Sequence, residues 1–226
     1  MKFTYYGHSC FSISSAGKNI LFDPFITDNP LASSIDINAI HPDIIMVSHG
    51  HSDHTGDLFA MALRSNALIV SNFEICSWLE AKGYGNSHPM NIGGAKTFDW
   101  GKVKMTTAIH SSSLPDGNYG GNPGGFVVET AEGTFYYSGD TALTYDFKLI
   151  GEEYDLDFAI LPIGDNFTMG SDDAIRCSEF IKCDKIIGVH YDTFPYIVID
   201  KKKTIKEFDQ AGKELILLAI GESIEL

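Results

Sequence analysis

The amino-acid sequence predicts an α/β chain of the layered α+β kind, with sheets at its centre. Three observations lead there. Short strand-like pieces parted by turn residues open the chain. The apolar, β-branched run Asp43-Ile44-Ile45-Met46-Val47 has the composition of a strand buried on both faces. The last third alternates strand and helix patterns, and strands first followed by β-α alternation is the order of a layered architecture. No linker-like shift in composition, low-complexity tract or solenoid-period repeat divides the chain, so residues 1–226 are expected to form one domain.

Taken in order, Lys2 to Tyr6, Cys10 to Ser14 and Asn19 to Phe22 read as strands of an antiparallel meander, with turn signals at Gly7 and Gly17. Asp43 to Val47 is the buried strand. Asp57 to Arg64 reads as a short helix, Ala67 to Ser71 as a strand, and Phe73 to Lys82 as a helix closed by Gly83. Lys102 to Ile109, Gly125 to Thr130 and Thr134 to Tyr137 are extended, and the glycine-rich stretch Ser111 to Gly124 is an irregular loop. Phe158 to Leu161 is a strand. Ser171 to Lys182 is a helix with Ser171 as N-cap and Asp172 and Asp173 in its first turn, where negative charge suits the helix dipole. Lys185 to Val189 is a strand, Lys201 to Ala211 a helix and Leu215 to Ala219 a strand.

Composition narrows the function. Hydrophobic residues make up 44% and charged residues 20%, a globular balance. No run approaches a membrane span, and the N-terminus shows no signal peptide, so the chain is expected to stay in the cytoplasm and not to engage a membrane. Sixteen Lys+Arg stand against 30 Asp+Glu, a formal net charge of −14, and the only arginines are Arg64 and Arg176. A polyanion is held by clustered cations, so nucleic acid is disfavoured as a partner. Lys201-Lys202-Lys203 reads as a solvated helix start. Cys10, Cys76, Cys177 and Cys183 are dispersed and read as reduced thiols. A homo-oligomer is compatible with this composition.

The informative motif is His49-Gly50-His51-Ser52-Asp53-His54, directly after the buried strand. Its His-x-His-x-Asp-His pattern would arise by chance about once in a thousand chains of this composition. Neutral imidazole and carboxylate suit Zn²⁺ and similar ions. His49 and His51, two apart in an extended turn, can share one ion, and Asp53 and His54 can reach a second. Four residues from one loop cannot close two sites. His110, Asp140 and His190 each follow an extended run, and Gly139 permits a tight turn before Asp140. Each alone has a structural explanation; together with the motif they read as further ligands.

These residues resemble the metallo-β-lactamase superfamily, and within it the branch of small metal-dependent hydrolases related to ascorbate-6-phosphate lactonase. The similarity extends to Gly7-His8-Ser9-Cys10-Phe11, Phe22-Asp23-Pro24-Phe25, Gly139-Asp140-Thr141, the segment Pro162 to Gly170, and His190 to Pro195. It implies an αββα sandwich. It implies His49, His51 and His110 on one metal, Asp53, His54 and His190 on a second, and Asp140 between the two. Zinc is the default ion, with manganese, iron or nickel compatible. A dinuclear centre of this kind would generate a bridging hydroxide and cleave a small ester, lactone or phosphodiester. Two divalent ions against two carboxylates leave about +2 locally, favouring polarised or anionic small molecules despite the acidic surface.

Other residues are read more openly. Asp53 is expected to orient the hydroxide and accept its proton. Asp23 either accepts a ring N–H from a ligand histidine or is a plain Asp-Pro turn. The spacing around His8 says nothing of its role; the resemblance implies that it lies near the metals as proton donor or substrate contact. Asn166 and Thr193 follow strands at the same edge and are read as pocket-lining, whereas His41 and His88, each before a proline, are read as structural or exposed. The competing functions are a non-hydrolytic metal-binding module and a di-metal redox protein. The first needs closed coordination, and for the second the resemblance, through the di-iron branch of the same fold, implies Glu where His51 stands.

Overall fold

Two seven-stranded sheets lie face to face, each covered on its outer side by helices, in a computed structural model that describes residues 1–226. The first sheet takes β1 (Lys2–Gly7), β2 (Cys10–Ser15), β3 (Lys18–Phe22), β4 (Ile44–Met46), β5 (Leu68–Asn72) and β6 (Ser87–Met90). The second takes β7 (Ala95–Thr97), β8 (Lys102–Thr107), β9 (Gly124–Thr130), β10 (Gly133–Tyr137), β11 (Phe158–Pro162), β12 (Lys185–Val189) and β13 (Glu214–Ile216). The last strand, β14 (Ser223–Glu225), returns to pair with β1, so the order is β14-β1-β2-β3-β4-β5-β6 in one sheet and β13-β12-β11-β10-β9-β8-β7 in the other. Each sheet joins an antiparallel meander to parallel strands, the change coming at β3–β4 and at β10–β11.

Burial explains the patterns. The parallel strands β4 and β11 are buried at every position, as the unbroken apolar run at Ile44 suggested, because sheet covers one face and helix the other. The meander strand β1 alternates, with Phe3 and Tyr5 inward. Between the sheets lies an aromatic core in which Phe11 and Phe22 stack at 4.6 Å and both meet Tyr137 edge-on, at 5.1 and 5.6 Å. On the outer faces, α2 (Leu58–Ser65) and α3 (Phe73–Ala81) cover the first sheet through Met61, Ala62, Ile75 and Leu79. The helices α4 (Phe147–Glu153), α5 (Ser171–Phe180) and α6 (Lys201–Gln210) cover the second through Phe147, Ala174, Cys177 and Phe208. No helix is long and apolar enough to cross a membrane. All four cysteines are free thiols and buried.

Several elements differ from the expectation. Ser171 is not an N-cap: Gly170 caps α5 without a side chain, and the Ser171 hydroxyl donates to Glu207 of α6 at 2.8 Å. The C-terminal strand shortens to Glu214–Ile216. His51 to Thr55 carries an extra one-turn helix, α1 (Ser52–Thr55), ahead of α2. The edge strands β6, β7 and β14 and the helix α4 have no matching reading in the sequence. The edges are short, β7 is exposed throughout, and β6 contains Pro89, which an edge strand tolerates because one side needs no partner.

Candidate metal centre

The loops that leave the carboxyl ends of β1, β3, β4, β8, β10 and β12 meet at one edge of the sandwich, and side chains from both sheets converge there. His49, His51 and His110 bring ring nitrogens within 4.8 Å of one another, and His8, Asp53, His54 and His190 form a second such group. His49 Nε2 and His51 Nδ1 are 3.0 Å apart. Between the groups lies Asp140, nearly buried, whose Oδ2 is 2.9 Å from His190 Nε2, 3.2 Å from His54 Nε2, 3.7 Å from His110 Nε2 and 4.0 Å from His49 Nε2. Gly139 makes this approach feasible: its φ is +62°, and a Cβ there would meet Gly124 O at 2.7 Å and Ser48 Cβ at 2.9 Å.

Beneath the cluster Asp23 settles the two readings of its Asp-Pro sequence, for it is fully buried and four donors point at it. Its Oδ1 accepts from Ser48 N at 2.7 Å. Its Oδ2 accepts from Ser48 Oγ at 2.6 Å, from His54 Nδ1 at 2.8 Å and from Tyr137 OH at 2.5 Å. With the Ser48 proton spent on Asp23, Ser48 Oγ accepts from His49 Nδ1 at 2.9 Å. One carboxylate thus sets the Nδ1–H tautomer of two histidines and turns both Nε2 atoms toward Asp140.

Electrostatics at this point call for a cation. Burial depresses His49, leaving it neutral. Burial acts the same way on His54, but the carboxylates of Asp140, Asp53 and Asp23 outweigh it and hold that ring well above the ordinary histidine range. Asp140 and Asp53, which burial alone would raise, are held well below the carboxylate range, Asp140 by His190 and His54 and Asp53 by His54 and His8. His54 Nε2, Asp140 Oδ1 and His190 Nδ1 are buried without a hydrogen-bond partner. Orphaned donor atoms of this kind, in an imidazole and carboxylate set, fit first-row divalent metal.

His8 is brought to the same place. Burial pushes it down to about 4, so its ring is neutral, while Asp53 is ionised. Its Nε2–H therefore donates to Asp53 Oδ2 at 3.1 Å, and its Nδ1 accepts from Thr193 Oγ1 at 3.0 Å. His8, Asp23 and His190 all have positive φ, at 56°, 42° and 56°, a left-handed geometry that is uncommon for non-glycine residues. Asn166, in contrast, is not brought to the cluster; it lines a separate polar groove with Ser171, Lys203 and Glu207. His41 is exposed and His88 half-buried in β6, both away from the site. The cavity over the cluster, about 270 Å³, is walled by Ser111 and Phe167 as well as by the expected residues. These two, with Ser48 and Tyr137, were missed: only Ser48 and Ser111, next to His49 and His110, carry any positional signal.

Comparison with known proteins agrees with this geometry. Residues 2–190 match the family described as the Beta-lactamase superfamily domain. A UPF0173 metal-dependent hydrolase of Flavobacterium johnsoniae is 58% identical over the whole of both chains. The solved structure of Igni18, described as a novel metallo hydrolase from Ignicoccus hospitalis, superposes with a TM-score of 0.89 at 31% identity, covering 100% of this chain and 98% of that one. The metallo-beta-lactamase fold protein YhfI of Bacillus subtilis shares the fold at a TM-score of 0.78 and 15% identity, over 100% and 98% of the two chains. On motif, architecture and end-to-end similarity together, the chain belongs to the β-lactamase superfamily and, within it, to the metal-dependent hydrolases.

Proposed function

We propose that this hydrolase cleaves a small ester, lactone or phosphodiester at a centre of two divalent ions, with residues 1–226 as one working unit. His49, His51 and His110 would hold one ion and Asp53, His54 and His190 the other, with Asp140 placed between the two groups to serve both. The observation that carries this reading is the single Asp140 oxygen lying within 4.0 Å of four imidazole nitrogens drawn from three loops. Imidazole-rich ligation favours zinc, with manganese, iron or nickel as alternatives. Bound there, two divalent ions supply Lewis acidity, acidifying a water near neutral pH and polarising the substrate oxygen.

The chain's own groups do the positioning and move the proton. Asp53 is ionised and partly open to solvent, so it can orient the attacking water and accept its proton. His8 holds one Asp53 oxygen through Nε2–H, while Thr193 fixes the plane of its ring, so the Asp53 carboxyl that takes the proton of the water is kept in place to return it to the leaving group. Asp23 and Ser48 keep His49 and His54 in the tautomer that presents Nε2. The small cavity over the cluster favours a small-molecule substrate.

The test is reconstitution followed by a screen. Elemental analysis of metal-reconstituted protein should find close to two ions per chain, and the loaded protein should turn over at least one class among esters, lactones, thioesters and phosphodiesters. Saturation at one ion would reject the two-ion assignment. Full loading with no turnover in any class would reject the proposed substrate chemistry.

A further inference from the structure

A groove of about 690 Å³ opens beside the cluster and shares Asp53 with it. Its near wall is Phe25 and Phe194, whose ring centroids lie 5.6 and 5.4 Å from the His8 ring, both edge-on to it. Its far wall is Phe59 of α2 and Trp78 of α3. Trp78 is pinned in place: its Nε1–H donates to Asp116 Oδ2 at 2.8 Å, and Lys82 Nζ sits 4.6 Å from its ring centroid. Phe59 and Trp78 only border the core under the helices, and with Phe194 they stay partly exposed.

Four aromatic rings from four separate segments therefore line an open groove that reaches the cluster at Asp53, with His8 buried behind Phe25 and Phe194. Apart from Asp53, the formal charges on the groove, Asp28 and Lys82, cancel. The aromatic walls offer apolar contact beside Ser52, Thr55 and Asp53, and a small-molecule pocket commonly combines apolar walls with a few polar groups that orient the ligand. The separate groove that holds Asn166 has Tyr196 and Val198 on its wall but sets them among Asp165, Asp200, Lys203 and Glu207, and it shares no residue with the cluster.

The geometry points to this groove as the subsite for a neutral aryl or alkyl arm of the substrate, with Phe59, Trp78 and Phe194 setting the preference. The inference rests on the hydrolytic reading above, so its test includes a binding measurement that needs no turnover. Neutral arylalkanols such as 4-phenylbutan-1-ol are titrated into metal-loaded protein while tryptophan emission is followed. Trp100 is 5% exposed within the inter-sheet core, which leaves Trp78 as the responding indole. A saturable change is expected, absent in Trp78→Phe and shifted to about tenfold weaker binding in Phe194→Ala, the scale of one lost ring contact.

Turnover is then compared along 4-nitrophenyl esters from acetate to octanoate. kcat/KM should climb with acyl length in the wild type, and the climb should flatten in both Phe59→Ala and Phe194→Ala. Equal arylalkanol binding by wild type and Phe194→Ala, or an acyl-length dependence that neither alanine variant alters, overturns the assignment. Groove binding that behaves as expected in a protein that turns over no ester, lactone, thioester or phosphodiester supports the subsite and counts against the hydrolytic reading alone.

Discussion

Asp23 and Tyr137 show how much a single buried contact carries in this protein. The Tyr137 ring belongs to the aromatic core against Phe11 and Phe22, while its hydroxyl is one of four donors on the Asp23 carboxylate. Tyr137→Phe keeps the packing and removes a hydrogen bond to a buried charge, so it should lower unfolding free energy by about 1.5–3 kcal/mol, read as a shift in denaturant midpoint at unchanged slope. Asp140 and His8 separate two roles. Asp140→Ala should lower both metal content and rate, since no other carboxylate oxygen reaches four imidazoles. His8→Ala should retain metal and the fold, as judged by circular dichroism, and lose roughly 10²–10⁴-fold in turnover, the scale of acid–base catalysis that depends on a held Asp53. Loss of an ion from His8→Ala would make His8 a ligand; loss of neither ion nor rate would make it structural.

At the scale of elements, the site depends on loops held against one another by backbone. Gly164, in the loop after β11, lies so close to the His190 carbonyl oxygen that an added Cβ would overlap it, with Ile197 Cβ only 3.0 Å away on the other side. Gly164→Ala must therefore displace the turn that presents His190. The expected outcome is a loss of about 1–3 kcal/mol in stability, together with weaker binding of the ion assigned to Asp53, His54 and His190. Thermal melts and metal titrations on the same preparation check both. A melt that drops while metal affinity stays at the wild-type value would confine the effect to packing.

Across the whole molecule, the cluster draws its donors from both sheets: His49 to His54 follow β4 of the first, and His110, Asp140 and His190 follow β8, β10 and β12 of the second. Metal bound there would tie the two halves together and favour the folded state over the unfolded one. Zinc at a hundred times its dissociation constant should raise the unfolding free energy by about 2.7 kcal/mol per site, and a chelator should reverse the rise in melting temperature. A melt insensitive to metal and chelator would contradict the site. The −14 charge acts at this scale as well: long RNA or DNA should show no salt-sensitive retention by the protein in filter binding at low ionic strength.

Much of this was already written in local patterns. The parallel strands betrayed themselves as unbroken apolar runs because both their faces are covered, and the meander by turn glycines at Gly7 and Gly17, both with positive φ. The residue types for a metal centre stood in His49 to His54, since so many imidazoles in one turn have no other local use. The bounds of α2, α3, α5 and α6 followed the same logic within a residue or two, whereas the short α1 and α4 did not show, and Ser171, expected as an N-cap, gives its hydroxyl to a partner in α6 that no local pattern reports. The short edge strands β6, β7 and β14 have too few residues for a period to show. What the tertiary structure alone decided is every contact between distant residues: Asp23 as the acceptor for His54 and not a plain turn, His8 against Asp53 and Thr193, Tyr137 beneath the cluster, and Asn166 away from it. The physical reason is that a side chain's type limits the bonds it can make, whereas its partner is chosen by how two sheets, 114 residues apart in sequence at Asp23 and Tyr137, pack on one core.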